Sequence, residues 1–300
     1  SQCTQPMGYV SISTDCDDTD ATINTSDSDG DGASSCAGDC DDMDATDNDG
    51  DCDDTDGARF PGAEEFCDGL DSNCDGLESL HIATFETAAG ERRNVTTNMT
   101  SGYFRATEFG TLRVCEGTWN SMIAVDIEDD SSSVDDRIFM MEGVGDVFLD
   151  VEGAGRVVTV VGGPSRVELR NVELMRGEAT RGGAIYAETA DVFLEDVYIE
   201  ANTATQAGGA VYLESGNLTA IDSGWVDNSV SGFGVVGGAV VLNEGDFTGS
   251  ELFMRSNSAT GWGFGGAIFL TEGDLYLDES VIEDNEASFQ GGAAVLRNGS

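Results

Sequence analysis

The chain has 300 residues, 58 acidic and 13 basic, for a formal net charge of -45. Nucleic acid and anionic membrane surfaces would repel it, and no apolar run is long enough for direct membrane insertion. Hydrophobic residues still make up 39% of the sequence, enough for a sizeable core, and a chain that begins at Ser1 and stops in mid-pattern at Ser300 reads as a portion of something longer.

Residues 1–80 hold 20 Asp and 3 Glu against one basic residue, Arg59, together with seven of the eight cysteines. The block is poor in Leu, Ile, Val and Phe, and composition alone would suit a solvated, disordered linker. The even number and spacing of the cysteines favour a module in which cations and disulfides replace a hydrophobic core. Its unit is D-C-D-D-x-D, which places candidate metal ligands at Asp15, Asp17 and Asp20, at Asp39, Asp41 and Asp44, and at Asp51, Asp53 and Asp56. Carboxylates this dense repel each other unless a hard cation sits between them. The segment Asp27-Ser-Asp29-Gly-Asp31-Gly32 offers oxygens at positions 1, 3 and 5 with Gly at 6, the opening of an EF-hand-type calcium loop. Gly38 stands where that loop needs its Glu, so a complete EF-hand is not expected. Asp47, Asp49 and Asp51 repeat the spacing, with Cys52 at the sixth position. The block closes on Pro61-Gly-Ala-Glu-Glu65-Phe-Cys67-Asp68-Gly-Leu-Asp71-Ser-Asn73-Cys74-Asp75-Gly76, where Glu65, Asp68, Asp71, Asn73 and Asp75 complete the candidate ligand set.

The pairing of D-C-D-D-x-D with P-G-A-x-E-x-C-D-G-x-D-x-N-C-D-G resembles the MopE-type metal-binding repeat of secreted bacterial surface proteins. The D-x-D-x-D-G stretch is similar to calcium-stabilised thrombospondin type 3 repeats. Residues 39–76 match the first family closely, residues 3–20 look like a unit that has lost its second half, and the middle units lack the P-G-A-x-E closure. The family's name-bearing member is linked to copper, but copper and zinc want His or thiolate, and the single His81 lies outside the motifs. All-oxygen donors select several Ca2+ ions instead. Among the many connectivities eight cysteines allow, the expected pairs are Cys3–Cys16, Cys36–Cys40 and Cys67–Cys74, with Cys52 and Cys115 left for each other. Disulfides imply an oxidising, extracellular or cell-surface setting.

From Gly182 onward the sequence repeats. Gly-Gly pairs start at Gly182, Gly208, Gly237, Gly265 and Gly291, and Asn202, Asn228, Asn257 and Asn285 each follow one of them by 20 residues. All length variation lies between the Asn and the next Gly-Gly, as in a solenoid coil with one variable loop. Columns follow each Gly-Gly, first Ala184, Ala210, Ala239, Ala267 and Ala293, then Ile185, Val211, Val240, Ile268 and Ala294, and two further on Ala187, Leu213, Leu242, Leu270 and Leu296, a period-2 alternation that gives a strand. Next comes an Asx column suited to a turn (Asp191, Asn217, Asp246, Asp274), an apolar column from Val192 to Leu275, and another from Ile199 through Trp225 and Met254 to Ile282. Three short strands and three turns per coil predict an all-β fold, a right-handed parallel β-helix at about residues 103–300 with roughly seven coils. It would follow the Asp-rich, irregular, disulfide-linked calcium module at 1–80 and a connector or cap at 81–102. The repeated Asn is expected to stack and satisfy turn backbone groups, and the Gly-Gly pair to form turns of positive φ. The G-G-A-[IV] repeat with its later Asn resembles polymorphic outer-membrane autotransporter proteins, which implies a surface β-helix. Asn24, Asn94, Asn98, Asn217 and Asn298 open glycosylation sequons.

Some parallel β-helices are polysaccharide lyases or hydrolases, so a carbohydrate-active enzyme is the alternative reading, and a secreted metal scavenger a third. His81 precedes the repeats, Asp129-Asp130 and Asp135-Asp136 flank a Ser-rich loop, and Arg166, Arg170, Arg176 and Arg181 cluster without a matching acidic set. The chain is therefore expected to be no enzyme. Phe233, Trp262, Phe264 and Phe289 sit in the variable loops, either folded over the corner or exposed as a lateral surface for a glycan, a surface protein or another copy. The function expected is a calcium-binding adhesin, stalk or fibre subunit.

Overall fold

A computed structural model describes residues 59–74, 81–127, 138–162 and 166–299. The chain divides into two compact units, Ser1–Ser79 and Leu80–Ser300. The fold is all-β, 59% strand and 2% helix, and the second unit is a β-solenoid of about six turns. No helix among the described residues is long and apolar enough to cross a membrane.

Three parallel sheets run along the solenoid. The first stacks Gly110–Trp119, Ile138–Asp150, Arg166–Met175 and Asp191–Glu200, after which each rung divides in two, as in Leu218–Ile221 with Gly224–Val226. The second runs in eight strands from Tyr103–Ala106 to Ala294–Asn298. The third has five strands, Glu178–Arg181, Thr203–Ala207, Ser229–Gly232, Ser258–Gly261 and Glu286–Ala287. Among the described residues this third sheet begins only at Glu178, so the earlier coils contribute no described strand to it. The expected columns stack in register: Ile185 on Val211, Val211 on Val240, Val240 on Ile268 and Ile268 on Ala294. Ile199, Trp225, Met254 and Ile282 form a second row. Most of these side chains are fully buried, in one continuous core that extends from Ala83 to Leu270.

The first coil is capped by residues that precede it. Ala83–Thr87 pairs antiparallel with Gly110–Trp119, and Arg92–Asn94 pairs with Ala83–Thr87. That pairing occupies the edge that the first strand of the sheet would otherwise expose. Phe85 and Met99, the latter on the short helix Thr96–Thr100, close the core beneath it.

Corner chemistry explains the repeat. The residue before each ladder Asn is left-handed: Ala201, Asp227, Ser256 and Asp284 have φ of 55°, 53°, 55° and 54°. Asn202, Asn228 and Asn257 are 0% exposed. Each side chain bonds the next, with the Asn202 and Asn228 Nδ2 groups donating to the Oδ1 of Asn228 and Asn257 at 3.0 Å. Nδ2 of Asn228 also donates to the Ile199 carbonyl at 2.8 Å, and that of Asn257 to the Trp225 carbonyl at 2.9 Å. A second, exposed ladder lies along the Asx column: the backbone N–H groups of Asn217, Asp246 and Asp274 donate to Oδ1 of Asp191, Asn217 and Asp246 at 2.8, 2.9 and 2.8 Å.

The Gly-Gly pair has two separate roles. Its first member supplies positive φ, as at Gly208 (57°), and its second lets two backbones touch. A Cβ on Gly209 would meet the Gly238 carbonyl at 2.1 Å and the Ser229 N and O at 2.7 Å, all backbone atoms that cannot swing aside. Gly209→Ala is therefore expected to cost about 3 kcal/mol in urea denaturation. At Gly234 (φ 72°) a Cβ meets nothing within 4 Å. Gly234→Ala should cost only the left-handed strain, about 1 kcal/mol.

Candidate functional site

The described part of the Asp-rich block is the loop 59–74, which contains four of the candidate ligands. Glu65 folds across it, and its Oε1 accepts the Asn73 N–H at 2.5 Å. Asp68 Oδ1 accepts the Leu70 N–H at 3.1 Å in an Asx turn, and Arg59 donates through Nε and Nη2 to the Asp71 carbonyl at 3.4 and 3.3 Å. Positive φ at Gly62 (91°) and Gly69 (78°) supplies the two tight turns, which is why the motif places Gly there. Thus Glu65, Asp68, Asp71 and Asn73 share one loop. Asp15, Asp17, Asp20, Asp27, Asp29, Asp31, Asp39, Asp41, Asp44, Asp47, Asp49, Asp51, Asp53, Asp56 and Asp75 lie outside the described residues. Among the described residues, no group of three or more His, Cys, Asp or Glu is placed to hold a metal ion.

The disulfide pattern corrects the sequence expectation. Cys67 is bonded to Cys115, not to Cys74, and so Cys115 is not the partner of Cys52. Cys74 is disulfide-bonded as well. The loop between Cys67 and Cys74 is tied instead by the Glu65 carboxylate, which accepts the Asn73 N–H. The pairings Cys3–Cys16 and Cys36–Cys40 fall outside the described residues.

On the solenoid, the arginines singled out by the sequence are engaged in ion pairs with carboxylates. Glu168, only 6% exposed, lies between Arg166 at 2.9 Å and Arg170 at 3.0 Å, and Arg170 reaches Glu195 at 2.7 Å. Both guanidinium groups also lie over the Phe193 ring, 4.7 and 5.3 Å from its centre. Arg176 grips Asp150, with Nε to Oδ1 at 2.7 Å, and Arg181 meets Glu214 at 3.3 Å. Burial raises the Glu173 carboxyl, helped by Glu200 and Asp146, a shift of the kind general acids show. Glu173 nonetheless lines neither of two surface clefts of about 270 and 280 Å3. Burial also pushes the Tyr212 hydroxyl up to about 12. His81 stacks on Trp119 with ring centres 4.0 Å apart. The loop containing Asp129, Asp130, Asp135 and Asp136 is outside the described residues.

The variable loops do both things the sequence left open. Val236 and Phe264 bridge rung to rung and fold over the corner onto Tyr212, Val241 and Phe269, whose side chains point outward from the second sheet and are nonetheless buried. Phe233, Trp262 and Phe289 remain 84%, 54% and 60% exposed. The satellite core was missed in the sequence, although the runs Ala210-Val-Tyr-Leu213, Ala239-Val-Val-Leu242 and Ala267-Ile-Phe-Leu270 carry its signal. An apolar residue at the outward position of a strand requires a cover.

No curated protein and no solved structure matches the chain. Residues 15–29 and 51–77 match the family model of MopE copper-binding proteins described as "Putative metal-binding motif", so the Asp-rich block carries that motif.

Proposed function

We propose that this chain is a non-catalytic extracellular or cell-surface protein, an adhesin, stalk or fibre subunit. In this reading an Asp-rich module is folded around several Ca2+ ions, and a solenoid presents faces to self-association or to another surface protein or glycan. The observation that carries the proposal is the metal-binding motif over 15–29 and 51–77 preceding a solenoid in one chain. The donor set is almost wholly carboxylate oxygen, the chemistry of a hard cation. Arginines engaged by carboxylates support a structural rather than catalytic role for the early coils. The net charge of -45 argues against nucleic acid.

Copper is the second reading, favoured by the name of the matching family. Equilibrium dialysis against Ca2+ and against Cu2+ separates the two: several calcium ions per chain are expected, with copper retained no better than at a surface carboxylate. Chelation is expected to make residues 1–80 protease-sensitive while leaving the β-type circular dichroism of the solenoid unchanged. A module equally resistant with and without chelator would refute the calcium assignment. Stoichiometric copper binding would transfer the site to the softer metal.

A further inference from the structure

The acidic residues avoid one strip of the solenoid. Residues 201–213, 229–243, 256–271 and 287–296 contain no Asp, Glu or Arg, in a chain with 58 acids. These segments make up most of the third sheet and the variable loops beside it. The exposed polar residues there carry hydroxyls and amides, such as Thr205, Gln206 and Ser231, with Ser231 in register with Thr260 on the next rung. Along the same edge runs the aromatic row. Phe233 and Trp262 have ring centres 5.4 Å apart, and Trp262 and Phe289 stack at 5.6 Å with planes within 14°. The ring spacings are close to the rung spacing of about 4.8 Å, so the row follows the stacking of the coils. Trp262 has a ring neighbour on either side, and Phe233 and Phe289 end the row.

We propose that this strip binds a neutral glycan. The inference rests on the reading of the chain as a surface protein and names the partner class for one of its faces. Charge selects the occupant. Acidic polysaccharides are repelled by the chain as a whole, a second copy, which also carries -45, can approach only where divalent ions screen that charge, and a basic protein is drawn to the acidic faces instead. An uncharged sugar chain has no such conflict. Its C–H faces pack on rings, and its hydroxyls exchange hydrogen bonds with the Ser, Thr and Gln side chains in the adjacent row. Exposed aromatic area bordered by polar groups is what a contact site requires.

The test is retention of the full chain on cellulose, chitin, mannan and dextran, with alginate as the acidic control, in the presence and absence of chelator. Retention on at least one neutral glycan but not on alginate is expected, and it should survive chelation even where the metal assignment fails. Trp262→Ala and Phe233→Ala should each weaken retention about tenfold, the worth of one aromatic contact. Both side chains are exposed, so circular dichroism should be unchanged. Tyr276→Ala, an equally exposed aromatic (55%) on the first sheet, should bind as the parent does. Failure on all four neutral glycans, parent-like binding by both loop variants, or a dimer in sedimentation that Trp262→Ala abolishes would each overturn the proposal. Retention accompanied by new sugar ends would support the strip while removing the non-catalytic reading of the chain.

Discussion

Asn228→Ala should lower the unfolding free energy of the solenoid by about 4 kcal/mol, among the largest effects of any single substitution in the chain. The side chain is 0% exposed and fully occupied. Its Oδ1 accepts from the backbone N and the Nδ2 of Asn202, both at 3.0 Å, and its Nδ2 donates to the Ile199 carbonyl and to Asn257 Oδ1. Alanine removes four hydrogen bonds at once and leaves the Asn202 backbone N–H and the Ile199 carbonyl buried without these partners. Each such group costs about 1–3 kcal/mol. Neighbouring rungs share the loss, because a solenoid coil is stabilised mainly by the coils beside it. Asn228→Asp tests the assignment differently. It keeps the shape but presents a carboxylate oxygen to two acceptors, so its folded-state pKa is raised. Its stability should be poor at pH 7 and should recover as pH falls through that value, whereas Asn228→Ala should show no such recovery. Urea denaturation at pH 7 and pH 4 checks both, and equal pH profiles would remove the ladder from the account.

Much of this fold is legible because a solenoid repeats its constraints. The Asn column, the Gly-Gly pair and the aliphatic columns each recur at every coil, so a reader of the sequence sees four or five instances of one requirement. What is not legible is whatever occurs once. Cys67 pairs with Cys115, and a single carboxylate, Glu65, ties the loop that a Cys67–Cys74 bond was expected to close; no periodicity announces either contact. The left-handed corner residues form a column in structure but not in sequence: Ala201, Asp227, Ser256 and Asp284 share a backbone angle and no chemistry. The candidate metal site is the other extreme. Its candidate ligands can be named from the motif spacing, and the four that lie in the described loop, Glu65, Asp68, Asp71 and Asn73, are placed by single contacts such as that of Glu65 with Asn73, which no repeat announces.

Trp225→Ala should cost about 3–5 kcal/mol, as deletion of a fully buried Trp does elsewhere. Trp225 is 0% exposed and packs edge-on against Phe247 with ring centres 6.0 Å apart, in the row between Ile199 and Met254. Its indole N–H meets no acceptor among the described residues. That detail separates volume from polarity. Trp225→Phe loses part of the ring but also removes a buried, unsatisfied donor, and the two effects oppose each other, so its cost should be under about 1.5 kcal/mol. Thermal or urea unfolding of both variants gives the comparison. A Trp225→Phe penalty as large as that of Trp225→Ala would mean that the indole N–H is satisfied after all, through a buried water held in the coil interior. The usual rule of a dry, apolar solenoid core would then fail at the rung where its largest side chain sits.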